Sequence, residues 1–99
     1  MQSVDAETFL SAVKVGATVF DTRTQVQFER DGLAGSELLT LENVQADKLP
    51  AVPKDAPIYL VCERGQVSEL VGLYLETAGF EEVYNLAGGF IALRQLNTH

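Results

Sequence analysis

The chain has 99 residues, 46% of them hydrophobic, and 14 acidic against 7 basic side chains give it a formal net charge of −7. That length predicts one domain, residues 1–99, with a core that needs no metal or disulfide staple. The charge argues against nucleic acid and anionic membrane surfaces as partners, and no apolar run nears the roughly 20 residues that cross a bilayer.

Residues 5–14 read as an amphipathic helix, with Ala6, Phe9, Leu10 and Val13 on one face. Ser3 or Asp5 is the cap, Glu7 suits the first turn, and Gly16 is the stop. Ala17-Thr18-Val19-Phe20-Asp21 reads as a buried strand with a carboxylate at its C-terminal end. Thr24 to Gln27 matches a capping box opening a short helix to about Arg30, broken at Asp31-Gly32 and again at Gly35-Ser36. Leu38-Leu39-Thr40 is a strand candidate, and Leu41 to Leu49 leaves a helical turn or two open. Pro50, Pro53 and Pro57 mark a loop.

Ile58-Tyr59-Leu60-Val61 is a continuous apolar run, as in a strand covered on both faces. The helix after Gly65 is expected to run to about Ala78, with Leu70, Val71, Tyr74, Leu75 and Ala78 on one side and Gly79 as its stop. Glu82 to Leu86 reads as another strand, Gly88-Gly89 as a tight turn, and Phe90 to Leu96 as a final helix. The alternation predicts an α/β domain: a central parallel sheet flanked by helices on both faces. Sites in such sheets lie at the carboxyl ends of the strands, which puts Asp21 and Cys62 on one edge.

Cys62 is the only cysteine. A thiol between a strand and a helix N-terminus meets converging backbone N–H groups, which lower its pKa and make it nucleophilic. A single cysteine forms no internal disulfide and fits a reducing compartment. Met1 to Asp5 has neither a basic nor an apolar signal region, so a cytoplasmic location is expected. In the loop, Arg64 favours the thiolate and an anion, whereas Glu63 opposes both. Asp21 and Arg23 are expected to hold the strand end to the loop as a structural pair. His99, the only histidine, is C-terminal, which argues against a Cys-His pair. One cysteine and one histidine make no metal site of the usual spacing.

Asp21-Thr22-Arg23 resembles the D-x-R motif of the rhodanese homology domain, and Cys62-Glu63-Arg64-Gly65 with Ser68 resembles its C-x-x-G-x-R-S active-site loop. Gly79-Phe80, Val83 to Leu86 and Gly88-Gly89-Phe90 resemble the closing G-F-x-x-V…L-x-G-G segment. This resemblance covers essentially the whole chain. It implies a rhodanese-like fold and a sulfurtransferase or sulfane-sulfur carrier. Cys62 would take sulfur from thiosulfate, polysulfide or a small or protein persulfide, and pass it to a thiol or other thiophilic acceptor. Residues 63 to 67 (Glu63, Arg64, Gly65, Gln66, Val67) would cradle the outer sulfur with their N–H groups. No cofactor is implied.

Three positions depart from the pattern. Val67 stands where many active members carry Arg. Gly32-Leu33-Ala34-Gly35-Ser36 replaces a His-Ile-Pro-Gly-Ala segment, and Leu93 replaces an aromatic residue. Val67 bears on substrate, and one lost charge-assisted contact costs about 1.5–3 kcal/mol. Thiosulfate activity is therefore expected to be weak. The alternative is a catalytically weak or inactive module that binds a partner or senses sulfur. A phosphatase or arsenate reductase of this fold needs a longer loop closing on Arg, and the sixth position here is Ser68.

Overall fold

Five strands form one parallel sheet in the computed structural model, which describes residues 1–96; the reading of His99 lies outside the described residues. They are β1 (Gln2–Val4), β2 (Thr18–Asp21), β3 (Glu37–Leu38), β4 (Ile58–Val61) and β5 (Val83–Leu86), in the spatial order β1-β5-β4-β2-β3. The helices are α1 (Ala6–Lys14), α2 (Gln25–Asp31), α3 (Leu41–Gln45), α4 (Gln66–Thr77) and α5 (Gly89–Leu96).

The expected α/β alternation is present, and the sheet is covered on both faces. Successive strand residues point to opposite sides. Phe20, Ile58, Leu60 and Val83 therefore pack with Val44, Val71 and Leu75, while Val19, Val61 and Leu86 pack with Phe9, Phe90 and Leu93. Ile58, Leu60 and Val61 are fully buried, as the unbroken apolar run predicts for a central strand. Each such side chain contributes about 1.5–3 kcal/mol by leaving water.

Local capping sets the helix starts. Asp5, and not Ser3, caps α1 by accepting from the Thr8 N–H at 2.8 Å. Thr24 and Gln27 form the expected capping box of α2, which continues through Asp31. A second box, Thr40 with Asn43, opens α3. It corrects the strand reading of Leu38 to Thr40: β3 is Glu37–Leu38, and Thr40 has left the strand to cap the helix.

Two further expectations change. The first strand, β1, lies in a stretch read only as a source of the helix cap. Its three residues are exposed or half-buried, and its strand character comes from pairing with Tyr84 to Leu86 of β5. On α4 the buried residues are Ser68, Val71, Gly72 and Leu75, whereas Leu70 and Tyr74 are exposed. The helix meets the sheet through a face rotated toward its small residues. Gly72 is where a Cβ would meet the Leu60 and Met1 side chains.

Candidate active site

β2 and β4 are neighbours in register, Asp21 opposite Val61. That register puts Asp21 at the carboxyl edge of the sheet, with Cys62 one residue beyond it on the neighbouring strand. Cys62 leaves β4, and the chain turns through Gly65 at φ +94° before entering α4. Gly65 permits the left-handed turn. α4 has no side-chain cap at Gly65. Instead the Arg64 and Gly65 N–H groups just ahead of the helix and the Ser68 N–H in its first turn act on the cysteine sulfur.

The Gly65 N–H donates to Cys62 Sγ at 3.0 Å, and Ser68 Oγ lies 3.3 Å from the same sulfur. Burial pushes the Cys62 thiol pKa up. The Ser68 hydroxyl and the N–H groups of Ser68, Gly65 and Arg64 outweigh that and hold it below its ordinary value. The buried cysteine therefore has its charge stabilised by dipoles, with no side-chain base within the described loop contacts.

The loop is tied down from both sides. Thr22 donates to the Val61 carbonyl from its N–H at 2.8 Å and from its hydroxyl at 3.1 Å. From α5, the Phe90 N–H donates to the Cys62 carbonyl at 2.9 Å and the Ile91 N–H to the Glu63 carbonyl at 3.2 Å. Gly89 makes this approach possible: a Cβ there would overlap the carbonyls of Cys62 and Glu63. The Gly88-Gly89 pair is thus a turn that opens α5 directly, one residue earlier than periodicity alone predicts.

Asp21 and Arg23 form the expected structural pair. Arg23 Nη2 and Nε donate to Asp21 Oδ2 at 2.9 and 3.2 Å, and Nε also donates to Oδ1 at 3.1 Å. Both residues are buried. Arg23 also pairs with Asp31 at 2.9 Å and reaches Glu63 at 3.5 Å, so it links the end of β2 to the cysteine loop. Burial pushes its pKa down, but pairing with Asp21 and Asp31 prevails and keeps it above its ordinary value. Its guanidinium carbon lies 3.8 Å from the Phe90 ring centroid, a cation–π contact.

An open cavity of about 540 Å³ stands before Cys62. Leu41 and Val67 give it apolar wall, and Arg23, Glu42, Glu63 and Arg64 line it with charge. Gln66 also lines it, while Gly65 and Ser68 lie buried behind the sulfur. Among the described residues Arg64 forms no ion pair, so its charge is available to the cavity.

Three contributors escaped the sequence reading. Arg94 pairs with Glu63, Phe90 supports Arg23, and Asn85 of β5 bonds both Ser68 and Gly65. The polar Asn85 inside an otherwise apolar strand was the one available signal.

Comparison with known proteins agrees with this architecture. The rhodanese-like domain model matches residues 5–95. Thiosulfate sulfurtransferase GlpE of Pseudomonas fluorescens (strain SBW25) is 36% identical over 75 residues, covering 76% of this chain and 68% of the relative. Its namesake from Pseudoalteromonas translucida is 33% identical over 87 residues, covering 88% and 82%. A rhodanese homologue from the extremely thermophilic bacterium Thermus thermophilus superposes with a TM-score of 0.72 at 32% identity, covering 92% of this chain and 99% of that one. A rhodanese-like domain protein from Staphylococcus aureus shares the fold at TM-score 0.82 and 24% identity, covering 93% and 90%. With motif order, sheet topology and sequence similarity in agreement, the chain belongs to the rhodanese-like domain family.

Proposed function

We propose that this protein is a sulfurtransferase that carries sulfur as a persulfide on Cys62. The observation that carries the reading is the sulfur's setting: Sγ meets the N–H groups of Arg64, Gly65 and Ser68 at the start of α4 and lies within reach of the Ser68 hydroxyl. Its residue also lines the open cavity. The similarity to proteins named thiosulfate sulfurtransferase supports the reaction class.

The Cys62 thiolate attacks the outer sulfur of a donor such as thiosulfate. A new S–S bond forms on Cys62 as the donor's S–S bond breaks, and sulfite leaves with the bonding pair. An acceptor thiolate then attacks the outer sulfur of the Cys62 persulfide. It departs as the acceptor persulfide and restores the Cys62 thiolate. The N–H groups of residues 63 to 67 serve the negative charge on the outer sulfur.

Thiosulfate is the poorer donor in this reading. Arg23 is occupied by Asp21, Asp31 and Glu63, and Val67 adds no charge to the rim. That leaves Arg64 as the unpaired cation lining the cavity, facing a dianion. Polysulfide, a small persulfide or a protein persulfide has no sulfonate that needs a cationic seat and fits better, with a thiol as acceptor. A free thiol suits the cytoplasm.

Intact mass spectrometry after exposure to thiosulfate or polysulfide, with Cys62→Ser alongside, tests the proposal. The expected result is a gain of one sulfur on the native chain, larger with polysulfide, and none on the variant. No gain from either donor would overturn sulfur transfer from these donors and leave a partner-binding module as the reading.

A further inference from the structure

Behind the sulfur lies a second layer of polar atoms that sulfur transfer does not consume. Ser68 is fully buried and Asn85 is 2% exposed. Asn85 Nδ2 donates to the Gly65 carbonyl at 3.1 Å. A carbonyl only accepts, so this bond fixes the amide and turns Oδ1 toward Ser68. Ser68 Oγ makes a close hydrogen bond to Oδ1 and lies 3.3 Å from Cys62 Sγ.

Ser68 has one hydroxyl proton and two claimants. With Cys62 protonated, the S–H donates to Ser68 Oγ, and the Ser68 O–H donates to Asn85 Oδ1, so every atom is satisfied. With Cys62 ionised, the hydroxyl proton turns to the sulfur and Oδ1 loses its donor. An unmet buried acceptor is costly.

We propose that Asn85 is a positioning residue that sets the proton affinity of Cys62 by competing with its sulfur for the hydroxyl proton of Ser68. The inference rests on Cys62 being the sulfur carrier. Asn85 acts only through Ser68 and the Gly65 peptide. It restrains ionisation of the resting thiol while holding the loop in the shape that receives the outer sulfur. The charged residues that line the cavity together with Cys62 are Arg23 after β2, Glu42 on α3, and Glu63 and Arg64 in the loop, with Arg94 of α5 paired to Glu63. None of them is changed by the substitutions below.

The test is the pH profile of Cys62 alkylation by iodoacetamide, which requires no sulfur transfer and so reads this proposal separately from the activity. Asn85→Ala frees the Ser68 proton for the sulfur. Alkylation below the midpoint is expected to rise roughly two- to tenfold, the worth of one hydrogen bond. Asn85→Asp places a stronger acceptor and a negative charge there, and alkylation is expected to slow. Both variants lose the bond to Gly65, so mere loosening of the loop would move both profiles the same way, and that result would overturn the proposal. So would an Asn85→Ala effect that persists in a Ser68→Ala background. If Asn85→Ala does not fold, the wild-type protein still decides. The Asn85 side-chain amide ¹⁵N resonance is expected to titrate at the thiol midpoint and to stop doing so in Ser68→Ala. A flat Asn85 resonance through the thiol titration would sink the idea.

Discussion

Arg94 on α5 closes on Glu63 in the cysteine loop, 31 residues earlier: Nη1 bonds Oε2 closely, and Nη2 donates to Oε1 at 3.3 Å. Glu63 alone would repel an anionic donor and oppose the thiolate. Paired with Arg94, and with Arg23 behind it, the carboxylate is largely offset. The side-chain bond from Arg94 is the main reason its pKa lies below the ordinary value. Arg94→Ala is predicted to raise KM for thiosulfate about two- to fivefold, the range for a half-exposed pair, with little change in thermal stability. Steady-state kinetics at low and high salt check this. An unchanged KM at low salt would mean that Glu63 does not face the donor.

Val67 is 40% exposed at the cavity rim, in the fifth position after Cys62. Val67→Arg needs no repacking of the core and adds a forked cation at the rim of the cavity before Cys62. The prediction is a gain of roughly ten- to a hundredfold in kcat/KM for thiosulfate, from one charge-assisted contact of about 1.5–3 kcal/mol. Polysulfide transfer should change little. Equal gains for both donors would point to a general change in the loop instead.

Gly89 has a φ of +57° and no room for a Cβ against the Cys62 and Glu63 carbonyls, whereas Gly16, at +86°, has nothing within 4 Å. Each Ala substitution meets the left-handed penalty of about 1–2 kcal/mol. Only Gly89→Ala also displaces the Cys62 peptide. Calorimetry should show the larger loss for Gly89→Ala, and alkylation of Cys62 should change only there. Matching behaviour of the two variants would count against α5 as the anchor of the loop.

Acid should weaken the charged cluster around Arg23. Burial pushes the Asp31 pKa up, but Arg23, Arg30 and Arg94 hold it below its ordinary value; Glu63 is lowered by Arg94 and Arg23. The unfolded chain therefore takes up these protons at a higher pH than the folded one. Their stabilisation is present above the ordinary carboxylate range and lost as pH falls through the lowered folded values. Melting temperature against pH in the native protein and in Arg94→Ala is the measurement. A shallower acid decline is expected in the variant, and parallel curves would assign the decline to other groups.

The order of elements was legible because each depends on near neighbours. Phe9, Leu10 and Val13 define the buried face of α1 within one helical repeat, and Thr24-Gln27 writes its own capping box. The run Ile58 to Val61 announces a covered strand, and its end locates Cys62 at the sheet edge where Asp21 also falls. Close local signals also misled. Leu38-Leu39-Thr40 has strand composition, but the Thr40 hydroxyl gains more by capping α3. Leu70 and Tyr74 follow helical spacing, yet α4 approaches the sheet through Ser68 and Gly72.

What the amino-acid sequence determined by itself is the parallel α/β frame, the place of Cys62 between β4 and α4, and the Asp21–Arg23 pair, all set by spacing within a few residues. Tertiary structure decided which distant groups meet at that frame. β1 is a strand only because β5 offers it an edge. Glu63 is offset only because α5 delivers Arg94 across 31 positions. Ser68 shares its proton only because β5 places Asn85 beside it across 17. Hydrogen bonds and ion pairs act over about 3 Å in space whatever their separation along the chain, so such contacts emerge only when the sheet has brought its strands into register.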